Sequence, residues 1–241
     1  MKIGILYMCS GKYEKFFDGF YESSKRLFLT DKEKHYFVFT DSKRLLEQYG
    51  NNKDITFIEQ RTLGWPIHTL FRFWMFRSIK EQLLNYDFLV FFNANFVFLE
   101  KIGDEFLPNG RNEKLIAGLH AWFYNKPSFL YPYDRNRKSS AYIPYWKRGK
   151  YYQGSLNGGF TNDYLNLIET CFNNIQTELN KNVIAKWFDE SHLNKYLLGR
   201  SDVKSLDVSY NYPEGSNLPF KPKIMLLNKG GGDGHKEIRN I

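Results

Sequence analysis

The sequence has little cysteine and no long apolar run. Only two cysteines, Cys9 and Cys171, occur among its 241 residues. Both lie in apolar patterns, which predicts buried free thiols and a reducing compartment rather than a disulfide framework. A stretch of about eighteen apolar residues, the length of a membrane-spanning helix, does not occur. Met1 leads directly into a predicted strand, without the regions of a signal peptide. We therefore expect a soluble, cytoplasmic chain without a membrane anchor.

Motifs for zinc and for the common nucleotide sites are missing as well. None of the five histidines pairs with a neighbouring glutamate or cysteine at zinc-ligand spacing. The glycine-rich segment 229–236 neither follows a predicted strand nor opens a helix. It therefore matches neither the dinucleotide fingerprint nor the phosphate-binding loop. These absences argue against a zinc enzyme and against a nucleotide site of either of those two kinds.

Aromatic residues and positive charge are both abundant. Aromatic residues make up 18% of the chain, the formal net charge is +8, and the pI is ≈ 9.2. This charge favours an anionic partner, which can be a nucleic acid, a membrane surface or a phosphorylated small molecule. The basic, tyrosine-rich segment 135–152 could stack single-stranded nucleic acid, but a solvated loop is the better interpretation.

The order of the predicted elements is that of a parallel α/β sheet. Apolar runs predict strands at Lys2–Met8, 35–40, Ile55–Glu59 and 88–92. Apolar spacings of three and four residues predict one helix over 13–28 and another over 66–84. Strand, helix and strand in this rhythm indicate parallel βαβ units with right-handed crossovers. Residues 123–152 lack clean periodicity and are predicted to form a surface lobe or long loops.

The apolar run 88–92 stops abruptly at two amides, Asn93 and Asn95. Its length and aromatic content predict a buried central strand in a sheet that is covered on both faces. The carboxyl end of such a strand opens into the crevice where α/β proteins bind ligands. Since Asn93 and Asn95 lie two residues apart, an extended backbone would point both side chains the same way, past the small Ala94. Taken alone, the pair also fits ordinary turn chemistry.

Asp189 and Glu190 stand at the start of a predicted helix that Gly199 ends. Acidic residues are favoured at a helix N-terminus, so capping explains them without any chemistry. A carboxylate at the mouth of a cleft can also stabilise a developing positive charge on a sugar, or attack it, as glycoside chemistry requires. The spacing alone favours the capping role.

The segment from Trp187 to Leu198 resembles the signature of glycosyltransferase family 6, which includes the histo-blood-group A and B transferases and the α1,3-galactosyltransferase. The resemblance continues through Ser140-Ala141-Tyr142-Ile143-Pro144, Tyr151-Tyr152, Gly158-Gly159 and residues 238–240. It implies a GT-A fold, which joins a Rossmann-like nucleotide-binding sheet with helices on both faces to an acceptor-binding lobe. The chain 1–241 would then be one catalytic domain. Its UDP-binding half would span about 1–115, its acceptor and catalytic half about 116–220, and a mobile tail 221–241.

The activity implied by the resemblance is that of a retaining hexosyltransferase. Such an enzyme moves N-acetylgalactosamine or galactose from its UDP conjugate to the 3-hydroxyl of a β-galactoside oligosaccharide, which can carry a fucose. By position in the family's motifs, Glu190 is the catalytic residue. Acceptor contacts are assigned to His120, Trp122 and Trp187. Donor contacts are assigned to Met8, Tyr13, Arg72, Asn93, Ala94, Asn95, Gln153, Gly154, Ser155, Asp189 and Lys229.

The chain departs from the mammalian pattern at Asn93-Ala94-Asn95, where mammalian members carry Asp-x-Asp and hold manganese. A neutral amide is a much poorer ligand for a hard divalent cation than a carboxylate. We therefore expect transfer without a metal or any other cofactor, with the UDP-sugar as co-substrate. The cations available to neutralise the diphosphate are Arg72, Lys229, Lys236 and Arg239.

Gln153, Gly154 and Ser155 align with the residues that discriminate N-acetylgalactosamine from galactose in the family. Since Gly154 and Ser155 are small and leave space for a 2-acetamido group, the resemblance implies N-acetylgalactosamine as the donor sugar. Without an anchor, and with free cysteines, the chain looks like a bacterial, cytoplasmic member of the family, and nucleic acid is not expected as a partner. The alternative is that the missing aspartates mark a lost activity, which would leave a glycan- or UDP-binding module. The presence of both Asp189 and Glu190 favours the enzyme.

Overall fold

The computed structural model describes residues 1–230 and shows a mostly parallel seven-stranded sheet with helices on both faces. The strands are β1 (Lys2–Met8), β2 (Glu33–Thr40), β3 (Ile55–Glu59), β4 (Phe88–Phe92), β5 (Phe96–Phe98), β6 (Leu115–Leu119), β7 (Tyr152–Phe160), β8 (Val203–Leu206), β9 (Tyr212–Pro213) and β10 (Ile224–Leu226). The α-helices are α1 (Phe17–Leu27), α2 (Lys43–Tyr49), α3 (Ile67–Leu70), α4 (Arg72–Ser78), α5 (Lys80–Leu83), α6 (Thr161–Leu179) and α7 (Phe188–Leu197).

The strand order of the large sheet is β3-β2-β1-β4-β7-β6-β8, and β5, β10 and β9 form a small second sheet. β1 pairs in parallel with β2 and β4, and β2 pairs in parallel with β3. This confirms the parallel βαβ half that the sequence predicts. β7 runs antiparallel between β4 and β6, and β8 is parallel to β6. The arrangement is a mixed α/β sheet consistent with a GT-A-like fold.

β4 lies at the centre of the large sheet, and each of its five residues is fully buried. Successive side chains point to opposite faces of a strand. Phe88, Val90 and Phe92 therefore pack in the core on one face, while Leu89 and Phe91 pack in the core on the other. Because both faces are covered, the strand reads as an uninterrupted apolar run rather than as an alternating one.

The helix predicted over 66–84 is broken into α3, α4 and α5. The backbone leaves helical geometry at Phe71 (φ −94°, ψ 8°) and at Ile79 (φ −111°, ψ 19°). Periodicity does not reveal such breaks, because apolar residues continue on both sides of each one. The first break makes Arg72 the first residue of α4 and leaves it only 8% exposed.

Residues 123–151 contain no α-helix or β-strand, as predicted, and a 3-10 turn at Ser128–Leu130 is their only helical feature. Their side chains form a separate small core of Tyr131, Tyr133, Ile143 and Tyr151. β10 lies within the segment predicted as the tail and pairs with β5. The remainder of that predicted tail, 231–241, lies outside the described residues. None of the helices within residues 1–230 combines the length and apolar character that crossing a membrane requires.

Candidate active site

A cleft of ≈ 380 Å³ opens where β1 and β4 end and β7 and α7 begin. Parallel strands that end at one edge of a sheet place the loops that follow them around such a crevice. Most of the residues predicted from the sequence come together here. They are Met8, Tyr13, Arg72, Asn93, Gln153, Gly154, Ser155, Trp187, Asp189, Glu190 and Lys229.

Glu190 lies in the first turn of α7, and both of its carboxylate oxygens accept hydrogen bonds. The Tyr151 hydroxyl donates to Oε1 over 2.5 Å, and the backbone N–H of Gly154 donates to Oε2 over 2.7 Å. Burial of the carboxyl raises the pKa of Glu190 to about 7, although these two donors favour the charged form. The carboxyl therefore titrates near neutral pH, which suits a catalytic group.

Asp189, the neighbouring carboxylate, is 1% exposed and forms a buried ion pair with Arg72. Arg72 also donates to the carbonyl of Gly154 over 2.7 Å, and its guanidinium lies 4.4 Å from the ring centroid of Phe91. Burial raises the pKa of Asp189 to about 6, and the charge of Arg72 opposes that rise. The pair is thus held in place by α4, β4 and β7 together.

Three polar atoms at the cleft have no hydrogen-bond partner among the described residues: Arg72 Nε, Asp189 Oδ1 and Ser155 Oγ. Buried polar atoms are seldom left without partners in folded proteins, and clusters of exceptions need an explanation. All three belong to residues that line the cleft.

Asn93 follows β4 directly and lines the cleft, whereas Ala94 and Asn95 lie behind it. The Asn93 side-chain amide donates to Asn95 Oδ1 over 2.9 Å, and Asn95 Nδ2 donates to the Leu227 carbonyl over 2.6 Å. The carbonyl of Ala94 accepts from the buried Tyr7 hydroxyl over 2.6 Å. The side chain of Asn93 is therefore placed to contact a ligand in the cleft, while that of Asn95 is hydrogen-bonded to the segment that follows β10.

Of the predicted acceptor residues, only Trp187 lines this cleft, and it is 43% exposed. Trp122 is 56% exposed on the adjoining lobe. The ring of His120 packs 5.6 Å from that of Tyr151, between centroids, and burial lowers the pKa of His120 to about 4. His120 thus packs against Tyr151, whose hydroxyl in turn contacts Glu190.

Lys229 is the predicted tail cation that the structure describes, and its ammonium lies 5.2 Å from the ring centroid of Tyr13 at the cleft. It carries positive charge to the side of the cleft formed by the turn after β1. The other two predicted tail cations, Lys236 and Arg239, lie outside the described residues.

Sequence reasoning missed the loop after β3 and part of the turn after β1. The additional lining residues are Ser10, Lys12, Thr62, Gly64, Trp65, His68, Thr69, Phe91 and Phe188. The signal was present, since Gly64-Trp65-Pro66 follows a parallel strand and such loops form the ligand edge. Phe188 has a φ of +52°, which is rare for a bulky side chain, and its ring packs edge-on against Trp65 at 5.7 Å. Backbone outliers of this kind cluster at functional sites.

Manganese, which the resemblance implies for mammalian members, does not fit the residues present. Within residues 1–230, no group of three or more His, Cys, Asp or Glu side chains could hold a metal ion. Asn93 offers only a neutral amide to the cleft, and Asn95 directs its oxygen to Asn93. Neither of these two amides supplies the carboxylate oxygen that hard divalent cations prefer.

The mixed α/β sheet, with its cleft at the strand ends, is consistent with the fold of a GT-A-like glycosyltransferase. The family model for glycosyltransferase family 6 matches residues 1–239, and the chain belongs to that family. This confirms the resemblance found at Trp187 to Leu198.

Individual relatives agree with this assignment. The chain is 36% identical to the O-antigen biosynthesis glycosyltransferase WbnI of Escherichia coli over 95% of each chain. It is 27% identical to the globoside alpha-1,3-N-acetylgalactosaminyltransferase 1 of Gallus gallus, over 100% of this chain and 70% of that protein. It is 29% identical to the histo-blood group ABO system transferase 1 of Rattus norvegicus, over 99% of this chain and 68% of that protein.

Proposed function

We propose that the protein is a retaining α1,3-glycosyltransferase. In this proposal it moves N-acetylgalactosamine or galactose from its UDP conjugate to the 3-hydroxyl of a β-galactoside, without a metal ion. The observation that carries the proposal is the pair Asp189 and Glu190, held at the cleft by Arg72, Tyr151 and the Gly154 backbone. A site that only binds a glycan has no need of a carboxylate tuned to titrate near neutral pH.

The chemistry assigned to each group follows from its charge and position. An ionised Glu190 can attack the anomeric carbon in a double displacement, or stabilise an oxocarbenium-like centre while the acceptor enters on the same face. Both routes retain the α configuration. Asp189 and Arg72 both line the cleft, and we assign them to binding of the donor sugar. Trp187 offers an apolar face to a galactose ring.

Metal-free transfer requires another source of charge for the departing UDP. Lys229 lies at the cleft beside Tyr13, and charge-assisted hydrogen bonds from a lysine or arginine to phosphate are strong. Asn93 adds amide N–H donors, which an aspartate lacks. Lys236 and Arg239 are proposed to contribute from the C-terminal segment.

The donor preference proposed is N-acetylgalactosamine, because Gly154 and Ser155 are small. A Cβ at Gly154 would lie 3.2 Å from the Cβ of Glu190 and 3.5 Å from Arg72 Nη1. The missing side chain there makes room for these two residues, so the proposed space for the acetamido group falls to Ser155. Ser155 lines the same cleft. Enlarging it with Ser155→Leu should reduce transfer from UDP-N-acetylgalactosamine more than transfer from UDP-galactose. Equal losses with the two donors would remove Ser155 from donor selection.

The decisive experiment measures UDP release from both UDP-sugars, with and without a β-galactoside acceptor, in chelator and in manganese. We expect acceptor-dependent release in chelator and no gain from manganese. Glu190→Gln should lower kcat by at least about a hundredfold, since it removes the charge that faces the reacting carbon. Glu81→Gln, at an exposed position on α5, is the matched control and should behave as wild type.

The competing function is a glycan- or UDP-binding module, which the replacement of two aspartates by Asn93 and Asn95 favours. It predicts binding of UDP without turnover. If the wild-type chain binds UDP but neither hydrolyses nor transfers in chelator or in manganese, the binding module is the better account. Activity that disappears in chelator and returns with manganese would contradict only the metal-free part of the proposal. The assignment as a transferase would stand.

A further inference from the structure

Tyr151 is a buried tyrosine whose hydroxyl reaches the carboxylate of Glu190. The residue immediately precedes β7, and it is 2% exposed. Its hydroxyl donates to Glu190 Oε1 over 2.5 Å, a short contact typical of a hydroxyl that donates to an anion. The two residues lie 39 positions apart in the chain, in different elements. This contact is therefore made only in the folded protein.

The ring of Tyr151 is fixed by an aromatic cluster in the lobe. Ring centroids lie 5.3 Å away for Phe123, 5.5 Å for Tyr133 and 5.9 Å for Tyr131. The arrangements are tilted or edge-on, which are the favoured geometries for aromatic pairs. The backbone carbonyl of Tyr151 also accepts from the N–H of His120 over 3.0 Å. The hydroxyl is consequently the polar tip of a rigid apolar cluster, and it is aimed at one oxygen of Glu190.

A second tyrosine in the cluster offers a direct comparison. The Tyr133 hydroxyl donates to the Lys150 carbonyl over 2.8 Å and makes no contact with the carboxylate. Tyr133 is as deeply buried as Tyr151, at 2% exposed, and its ring packs against those of Tyr131 and Tyr151. The two tyrosines therefore belong to one cluster, but of the two only Tyr151 contacts an acid at the cleft.

We propose that Tyr151 is a positioning residue whose hydroxyl keeps the Glu190 carboxylate ionised and directed into the cleft, with the aromatic cluster of the lobe as its support. The proposal rests on the proposed function for the role of Glu190 in transfer. The contact itself, and its effect on Glu190, can be measured without turnover.

The electrostatics around Glu190 explain why a donor is needed. Burial disfavours the charged carboxylate, and the negative charge of Asp189 adds to that penalty. The opposing groups are the Gly154 N–H, the Tyr151 hydroxyl and the charge of Arg72. Burial and the nearby Glu190 raise the pKa of Tyr151 far above its usual value, so the hydroxyl stays protonated and remains a donor. Removal of this donor therefore raises the pKa of Glu190.

The test compares Tyr151→Phe with Tyr133→Phe in the full-length protein. The pKa of Glu190 is measured by ¹³C NMR of protein labelled at glutamate Cδ, with the Glu190→Gln spectrum used to assign the signal. We expect Tyr151→Phe to raise this pKa by about one unit, the scale of a hydrogen bond to a charged group. Tyr133→Phe should leave it unchanged. Thermal unfolding of both variants reports any loss of packing.

The same variants are then assayed for transfer as a function of pH. For Tyr151→Phe we expect kcat to fall about tenfold at pH 6, to approach wild type above pH 9, and KM for the UDP-sugar to stay unchanged. Tyr133→Phe should follow the wild-type profile. A purely structural role for Tyr151 would lower activity equally at every pH.

The outcomes separate this proposal from the proposed function. An unchanged pKa of Glu190 in folded Tyr151→Phe overturns the role of Tyr151. If that pKa rises but the rate profile does not move, the positioning contact is supported and the catalytic role of Glu190 is contradicted. Retention of wild-type turnover by Glu190→Gln contradicts the proposed function in the same way, and the NMR titration still decides the role of Tyr151.

Discussion

Asn93 donates a hydrogen bond to Asn95 over 2.9 Å, and Asn95 is in turn bonded twice to Leu227. The Asn95 side-chain Nδ2 donates to the Leu227 carbonyl over 2.6 Å, and the Asn95 backbone carbonyl accepts from the Leu227 N–H over 2.8 Å. Leu227 follows β10 and lies two residues before Lys229. The amide pair thus connects the end of the central strand to the segment that brings a cation to the cleft.

Replacing both amides with aspartate should not create a vigorous manganese enzyme. Asn95→Asp places a carboxylate oxygen against the Leu227 carbonyl, where the amide now donates, and a buried unpaired charge of this kind is destabilising. We expect the double variant Asn93→Asp/Asn95→Asp to lose about 1–3 kcal/mol of stability. Its transfer rate should not rise on addition of manganese. The measurements are urea unfolding and UDP release with and without manganese.

The single variants separate the two positions. Asn93→Asp changes the residue that lines the cleft and should lower activity with little loss of stability, whereas Asn95→Asp should lower stability. A double variant that is as stable as wild type and strongly activated by manganese would show that the surrounding groups do accommodate the metal.

Two arginines of α4 allow the contribution of a buried ion pair to stability to be compared with that of an exposed one. Arg72 contacts Asp189 with both side chains buried, whereas Arg77 contacts Glu169 at 2.9 Å on the surface. Removing one partner of a buried pair leaves an uncompensated charge and costs about 3–5 kcal/mol, while exposed pairs contribute about 0–1 kcal/mol. Urea unfolding should show this contrast between Arg72→Met and Arg77→Met. Equal losses in the two variants would mean that Asp189 is not held by Arg72.

The sequence predicts this site unevenly. β4 and its end at the two amides are predicted from a local pattern, because a run of apolar residues that stops abruptly indicates a buried strand. Asp189 and Glu190 remain ambiguous between capping and chemistry until Arg72 and Tyr151 are placed beside them. Those contacts join residues 117 and 39 positions apart. Local propensity carries no information on contacts of that length. The family resemblance supplies Arg72, Asp189 and Glu190 as separate site residues, and neither contact is predicted.

Glu190 should lower the stability of the folded protein at neutral and alkaline pH. Burial raises its pKa in the fold from 4.5 to about 7, so the folded state binds more protons than the unfolded state between those values. Stability is then highest below about pH 4.5 for this group, and it decreases as pH rises through about 7. Glu190→Gln should be about 1–3 kcal/mol more stable than wild type at pH 8 and little different at pH 4.5. Urea unfolding at both pH values tests this, with Glu81→Gln as the control. A stability difference that does not depend on pH would contradict the raised pKa.

Glu178 should have the opposite pH dependence, and it connects the lobe to α7. Its Oε1 accepts from the hydroxyls of Ser139 and Ser140, each over 2.8 Å, and its Oε2 lies 3.3 Å from His192 on α7. Burial opposes ionisation, but the nearby His192 and the hydrogen bonds from the two serines lower the pKa of Glu178 to about 2. Its stabilising effect is therefore complete above about pH 4.5 and decreases as pH falls toward 2.

Glu178→Ala should lose about 2–4 kcal/mol at pH 6 and distinctly less at pH 3. Glu169→Ala, at a half-exposed position of α6, should lose under about 1 kcal/mol at either pH. A loss from Glu178→Ala that stays constant between pH 6 and pH 3 would refute the lowered pKa.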